Sequence, residues 1–235
     1  MHAIGIIQCR LGSTRLKRKA LLKIGNFKII EWVIRRVKKA KNLDQIVLAT
    51  SNKIQDKELL KISKNLKIDC FRGSEQNVFS RFCKINKKYN AKYIVRICAD
   101  NPFIDPHEID KIVRYSKLLN KRNSYIFNHI PYKDNNYIDG VGAECIGSQY
   151  FNDYEKKLKK KSYLEHVTSY IWKNKKKFIF KSLTAPKKYS FPGIKLDIDY
   201  KTDYQHFKKL LLNNKTKPEL FNNNNLITML RHDKK

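Results

Sequence analysis

Up to residue 120, short apolar runs rich in Ile and Val alternate with longer stretches in which apolar residues return every three or four positions. The short runs, 3–8, 45–50, 68–71 and 93–97, are apolar on successive residues, the pattern of strands covered on both faces. The longer stretches, 29–40, 56–65, 77–89 and 106–120, have the spacing of amphipathic helices. Repeated strand-helix-strand units predict an α/β fold with a mostly parallel, doubly wound sheet and right-handed crossovers.

Beyond residue 120 the rhythm changes. Strands are expected at 125–128 and 143–146, separated by a turn-rich stretch at 131–142, and followed by a Lys-rich helix-loop region at 156–177. Further strands are expected at 178–183 and 195–198, and a helix at 202–212. The segment 129–180 reads as an insertion or arm on one domain spanning 1–235. The Lys-Asn stretch after residue 215 is expected to form a weakly ordered end.

Hydrophobic residues make up 41% of the chain and aromatic ones 11%, enough for a core although 31% of residues are charged. Lys and Arg number 51 against 21 Asp and Glu, a formal net charge of +30 that would attract polyanions at low salt. That excess is mostly lysine, lies along the whole length and accompanies abundant Asn and Ile, without a basic arm or an Arg-rich helix. It reads as compositional bias, so nucleic acid is not the expected partner, while phosphate-bearing small substrates are favoured. The five cysteines show no C-x-x-C spacing and sit among apolar neighbours, as buried thiols in a reducing compartment do. With no basic leader and no apolar run near eighteen residues, no membrane span and a cytoplasmic location are expected.

Candidate chemistry gathers in a few blocks. Gln8-Cys9-Arg10-Leu11-Gly12-Ser13-Thr14-Arg15-Leu16-Lys17-Arg18-Lys19 follows the first strand, at the end where open α/β sheets bind ligands. Backbone N–H groups at Gly12 and the cations Arg10, Arg15 and Lys19 suit a triphosphate, a solvated basic turn being the alternative. The spacing matches neither G-x-x-x-x-G-K-[ST] nor G-x-G-x-x-G. Asp100, at the tip of the strand Val95-Arg96-Ile97-Cys98, faces the same crevice and is placed either to hold Mg²⁺ on a triphosphate or simply to form the turn. Asp105 reads as the N-cap of the helix opening at Pro106.

In Leu196-Asp197-Ile198-Asp199, alternation puts both acids on one face, where like charges require a cation unless both are solvated on an edge strand. Asp203 falls in the first turn of the next helix. Phe71-Arg72-Gly73-Ser74-Glu75-Gln76-Asn77 is a polar loop able to cap the following helix, through Ser74 or Asn77, or to read a base edge. His166, in Glu165-His166-Val167-Thr168, is either functional or a partner-bonded structural histidine.

In this order the blocks resemble the cytidylyltransferases related to spore coat polysaccharide biosynthesis protein F, within the acylneuraminate and KDO cytidylyltransferase superfamily. The resemblance runs from residue 6 to about residue 204 and rests on 6–16 with Lys19, 71–75, Asp139-Gly140 with Glu144, 165–168 and 197–199. It implies a Rossmann-like nucleotidyltransferase fold, usually dimeric, in which a projecting arm helps to build the partner's sugar pocket. It also implies CTP and Mg²⁺, with CMP transferred to an acidic sugar such as a nonulosonic acid or KDO, for surface polysaccharide biosynthesis.

By the same resemblance Asp100 and Asp199 are the metal ligands, and Arg10, Ser13, Arg15 and Lys19 hold the triphosphate. Gln8, Leu11 and Gly12 complete the nucleotide-binding block, and Arg72 and Ser74 lie near cytosine. Asp139, Glu144 and His166 face the sugar. Lys19, Asp100, Asp197 and Asp199 are then the candidate catalytic residues, with Asp197 orienting a metal-bound water or taking the proton of the attacking hydroxyl.

Two departures stand out. Where the family usually reads Leu-Pro-Gly-Lys, this chain has Leu16-Lys17-Arg18-Lys19, which implies a looser loop or a triphosphate held by extra charge. Where Thr-Pro-Glu or Tyr-Pro-Glu is common, it has Tyr200-Lys201-Thr202. A nucleotidyltransferase acting on a sugar phosphate or phosphorylated polyol is the alternative enzyme; its extra anion site would come from Arg96, Lys133 or lysines 156–161. A non-catalytic nucleic-acid-binding protein is the alternative from another class.

Overall fold

In a computed structural model the described residues are 2–212 and 215–232. Strand β1 (Ala3–Gln8) is followed by a small hairpin, β2 (Lys23–Ile24) and β3 (Phe27–Lys28), and then by α1 (Ile29–Val37). Strand and helix next alternate as β4 (Gln45–Ser51), α2 (Lys57–Asn65), β5 (Asp69–Gly73), α3 (Val78–Tyr89), β6 (Tyr93–Cys98) and α4 (Pro106–Leu119). The remainder runs β7 (Ser124–Phe127), β8 (Glu144–Gly147), α5 (Gln149–Tyr154), α6 (Lys161–Glu165), α7 (Ser169–Lys173), β9 (Ile179–Ser182), α8 (Lys201–Leu210) and α9 (Asn223–His232).

Seven strands join in one sheet of order β5-β4-β1-β6-β8-β7-β9, in which β8 alone runs against its neighbours. The expected α/β, mostly parallel fold is therefore present. Ala3 and Ile7 pack on one face of β1 with α1, α2 and α4, while Ile4 and Ile6 pack on the other with α3, α5 and α7. Burial on both faces explains the unbroken apolar runs, each fully buried Ile or Val contributing about 1.5–3 kcal/mol. The segment 129–180 supplies β8 and β9 to the sheet and α5–α7 to its α3 face.

The chain leaves β1 in one direction, to β4 and β5, and returns on its other side at β6. The loops after β1 and β6 thus splay apart at a topological switch point, where α/β folds form a crevice.

Two expectations are corrected. Residues 195–198 are extended but lie outside the sheet, with an isolated bridge between Asp139 and Lys195. Ile194, Leu196 and Ile198 turn instead into a third apolar cluster beside the sheet. In the tail after residue 215 the described part, 215–232, packs onto the body: Leu226, Ile227 and Leu230 of α9 are buried in that same cluster. The Asn run hides the helical spacing of these residues, and Asn223 is itself buried, donating to the Phe103 carbonyl at 2.6 Å.

Candidate active site

A cleft opens at the switch point. Its wall includes Gln8, Arg10, Ser13, Arg15 and Lys19 from the loop after β1, Arg96 and Asp100 from β6 and its tip, Arg81 from α3, and Glu165 and His166. Leu11 anchors the loop: its side chain is buried, and its N–H donates at 2.9 Å to the buried Asp56 carboxylate. With that anchor in place, Arg10 and Arg15 project outward on either side.

Lys19 is the centre of the charge arrangement. Its Nζ donates to Asp100 at 3.1 Å and to Asp199 at 3.1 Å, while Arg15 donates to Asp199 at 3.0 Å. Burial alone would raise the Asp199 pKa, but Lys19 and then Arg15 hold it below the usual carboxylate range.

The extended segment at 194–199 brings Asp199 to this point. Its Leu196 N–H donates to the Asp139 carbonyl at 3.0 Å, and its Ile198 N–H donates to the Asp100 carbonyl at 2.9 Å. Gly140 allows that strap: its φ is +91°, and a Cβ there would lie 2.7 Å from the Asp197 nitrogen. Asp203 caps the next helix, accepting from the N–H groups of Asp199 and Tyr200 at 2.8 Å each.

Lys195 offsets the remaining acids, reaching Asp197 at 3.3 Å and Asp199 at 3.7 Å. Burial, then repulsion from Asp197, pushes the Asp139 carboxyl up to about 7.

The Lys19 ammonium marks a point toward which two carboxylates converge, and hard oxygen donors of that kind fit a divalent cation such as Mg²⁺. Among the described residues no group of three His, Cys, Asp or Glu forms a ready metal cage. Water and substrate phosphates would complete such a shell, as they commonly do for Mg²⁺.

The model describing the family named Cytidylyltransferase matches residues 4–234. The chain belongs to the cytidylyltransferase family. It is 31% identical to spore coat polysaccharide biosynthesis protein SpsF of Bacillus subtilis, over 97% of this chain and 93% of that protein. An uncharacterized protein of Methanocaldococcus jannaschii is 39% identical over 89% of this chain and 83% of its own. A 3-deoxy-manno-octulosonate cytidylyltransferase of Rickettsia canadensis matches at 37% identity over 48% of this chain and 46% of its own. Among solved structures, a cytidylyltransferase from Leptospira borgpetersenii superposes with a TM-score of 0.88 at 26% identity, covering 100% of this chain and 95% of that one.

Within this cytidylyltransferase, several residues singled out from sequence lie off the cleft wall. Arg72 donates to the carbonyls of Ser51, Asn52 and Lys53 at 3.2, 2.8 and 3.0 Å. Ser74 accepts from the Asn77 N–H at 3.0 Å, and Asn77 caps α3 by accepting from Ser80 at 2.8 Å. Gly12 faces Gln55 and Glu75. Asp197 lines a neighbouring cleft with Lys195 and His206. Glu144 is buried, at 1% exposure, and lies behind Arg96. His166 is on the wall, and Arg10 reaches across to Glu165 at 3.5 Å.

Arg81 was missed from sequence. It is buried on the apolar face of α3, donates to the Ala49 carbonyl at 3.2 Å and lines the cleft. Burial, then the nearby Arg10 charge, lowers its pKa to about 10. The available signal was an arginine among Val78, Phe79, Phe82 and Ile85, where an amphipathic helix keeps apolar residues. Among the described residues no helix is long and apolar enough to cross a membrane.

Proposed function

We propose that this protein transfers CMP from CTP to a hydroxyl of an acidic sugar, releasing pyrophosphate, in surface polysaccharide biosynthesis. The reading is carried by one juxtaposition: Lys19 between Asp100 and Asp199, with Arg10, Arg15 and Arg81 around the same cleft. The names of the Bacillus and Rickettsia relatives support the polysaccharide context and the acidic sugar.

The acceptor oxygen attacks the α-phosphorus of CTP in line. The bond from that phosphorus to the bridging oxygen breaks, pyrophosphate leaves with the electron pair, and the hydroxyl proton passes to water. Arg10, Arg15 and Lys19 hold the triphosphate and offset the charge that grows on the leaving group. Asp100 and Asp199 would hold Mg²⁺, which supplies further neutralisation of phosphate charge when bound. Asp197 and Lys195 hold the 194–199 strap in position.

The test is pyrophosphate release with CTP, UTP, GTP or ATP across nonulosonic acids, KDO and sugar phosphates. CTP-specific release with an acidic sugar is expected, and Asp199→Asn should reduce it about 100-fold or more with little change in melting temperature. Release with sugar phosphates alone, or full activity in Asp199→Asn, overturns the assignment.

A further inference from the structure

The cations of the cleft fall into two kinds. Arg10 and Arg15 are 40% and 52% exposed, reach acids on other segments, and can follow a flexible triphosphate. Arg96 is held rigidly: its Nε donates to Gln8 at 3.1 Å and its Nη1 to the Glu144 carboxylate, which lies directly opposite on the antiparallel neighbour β8. Its side chain is 17% exposed, it lines the cleft, and among the described residues Nη2 has no hydrogen-bond partner.

Behind Arg96 stands a buried polar layer. Glu144 accepts from the Tyr125 hydroxyl at 2.5 Å, Tyr125 accepts from Trp172 Nε1 at 2.9 Å, and His129 Nε2 lies 3.8 Å from Glu144. Such a layer fixes one guanidinium edge in place.

Resting on the acidic-sugar reading above, we propose that Arg96 reads the carboxylate of the acceptor. Glu144 is its positioning residue, not a group that touches the sugar. A guanidinium already neutralised by Glu144 adds little to general attraction for a triphosphate. It offers instead one aimed donor, which favours an anionic oxygen at a single location. The resemblance placed Glu144 toward the sugar; its burial moves that contact to Arg96.

Substituting Arg96 alone leaves the buried Glu144 uncompensated, so the test uses the paired variant R96Q/E144Q, with its fold checked by melting temperature. For the wild type the acid should be a better acceptor than its carboxamide analogue by about 10- to 100-fold, the size of one charge-assisted hydrogen bond. In R96Q/E144Q the KM for the acid should rise by a similar factor and the discrimination should vanish, with KM for CTP unchanged within about twofold. R96K should restore part of the discrimination. An equally selective R96Q/E144Q, or one whose defect lies in CTP binding, overturns this inference while the assigned reaction stands. A wild type that uses only acceptors without a carboxylate overturns both.

Discussion

Lys19 lies between Asp100 and Asp199, where the proposed divalent cation would be held. Cation and ammonium compete for the same oxygens, so metal should enter well only when a triphosphate draws Lys19 away. Lys19→Ala should therefore bind Mn²⁺ at least tenfold more tightly than the wild type in calorimetry without nucleotide, while pyrophosphate release falls. Equal affinities would remove the competition. The two acids and the lysine were legible in the sequence; their contact was not legible from periodicity, because it joins loops 81 and 180 residues apart. Arg18 was half legible. It stands where the resemblance sets a glycine, and its own backbone is left-handed, φ 52°, at a steric cost of about 1–2 kcal/mol.

Among the elements, β8 carries the clearest pH signature. Burial would raise the Glu144 carboxyl, but Arg96, then His129 and a bond from Tyr125, bring it down to about 2. A carboxyl whose pKa falls on folding stabilises the protein above its unfolded value near 4.5, and that contribution is lost as pH falls from there toward 2. Glu144→Gln should cost about 3 kcal/mol at pH 7, because the half-buried Arg96 loses its charge partner. The gap between wild type and variant in urea unfolding should narrow as pH drops below 4.5. A gap constant from pH 7 to pH 3 would contradict the pairing. Sequence periodicity found β1, β4, β6 and the helices between them, since burial of two faces or of one stripe writes itself into spacing. It did not reveal that β8 would run in reverse and set Glu144 opposite Arg96, because direction within a sheet depends on tertiary packing.

For the whole molecule, the apolar cluster beside the sheet joins distant parts of the chain. Phe221 packs edge-on against Trp32 at 5.3 Å, and Arg36 donates to the carbonyls of Pro218 and Phe221 and to the Asn223 side chain. Ending the chain after residue 217 removes those partners with Leu226, Ile227 and Leu230. The loss should be several kcal/mol, at about 1.5–3 kcal/mol for each fully buried apolar side chain. Urea unfolding measures it, and an unchanged midpoint would mean the tail is dispensable. The polar composition that disguised this segment also disguises the charge: +30 describes the whole chain, while Arg10, Arg15, Lys19 and Arg96 of the cleft each pair with an acid among Asp100, Asp199, Glu144 and Glu165.

The place of β1 between β4 and β6 also governs how the chain emerges during synthesis. Its second neighbour begins only at Tyr93, so at about 5–20 residues per second the ribosome takes about 4–17 s after Gln8 to deliver it. Throughout that interval Ile4, Ile6 and Ile7 border an open strand edge. The nascent chain is then exposed to aggregation, before Arg96 and Asp100 have been added to close the other side of the cleft.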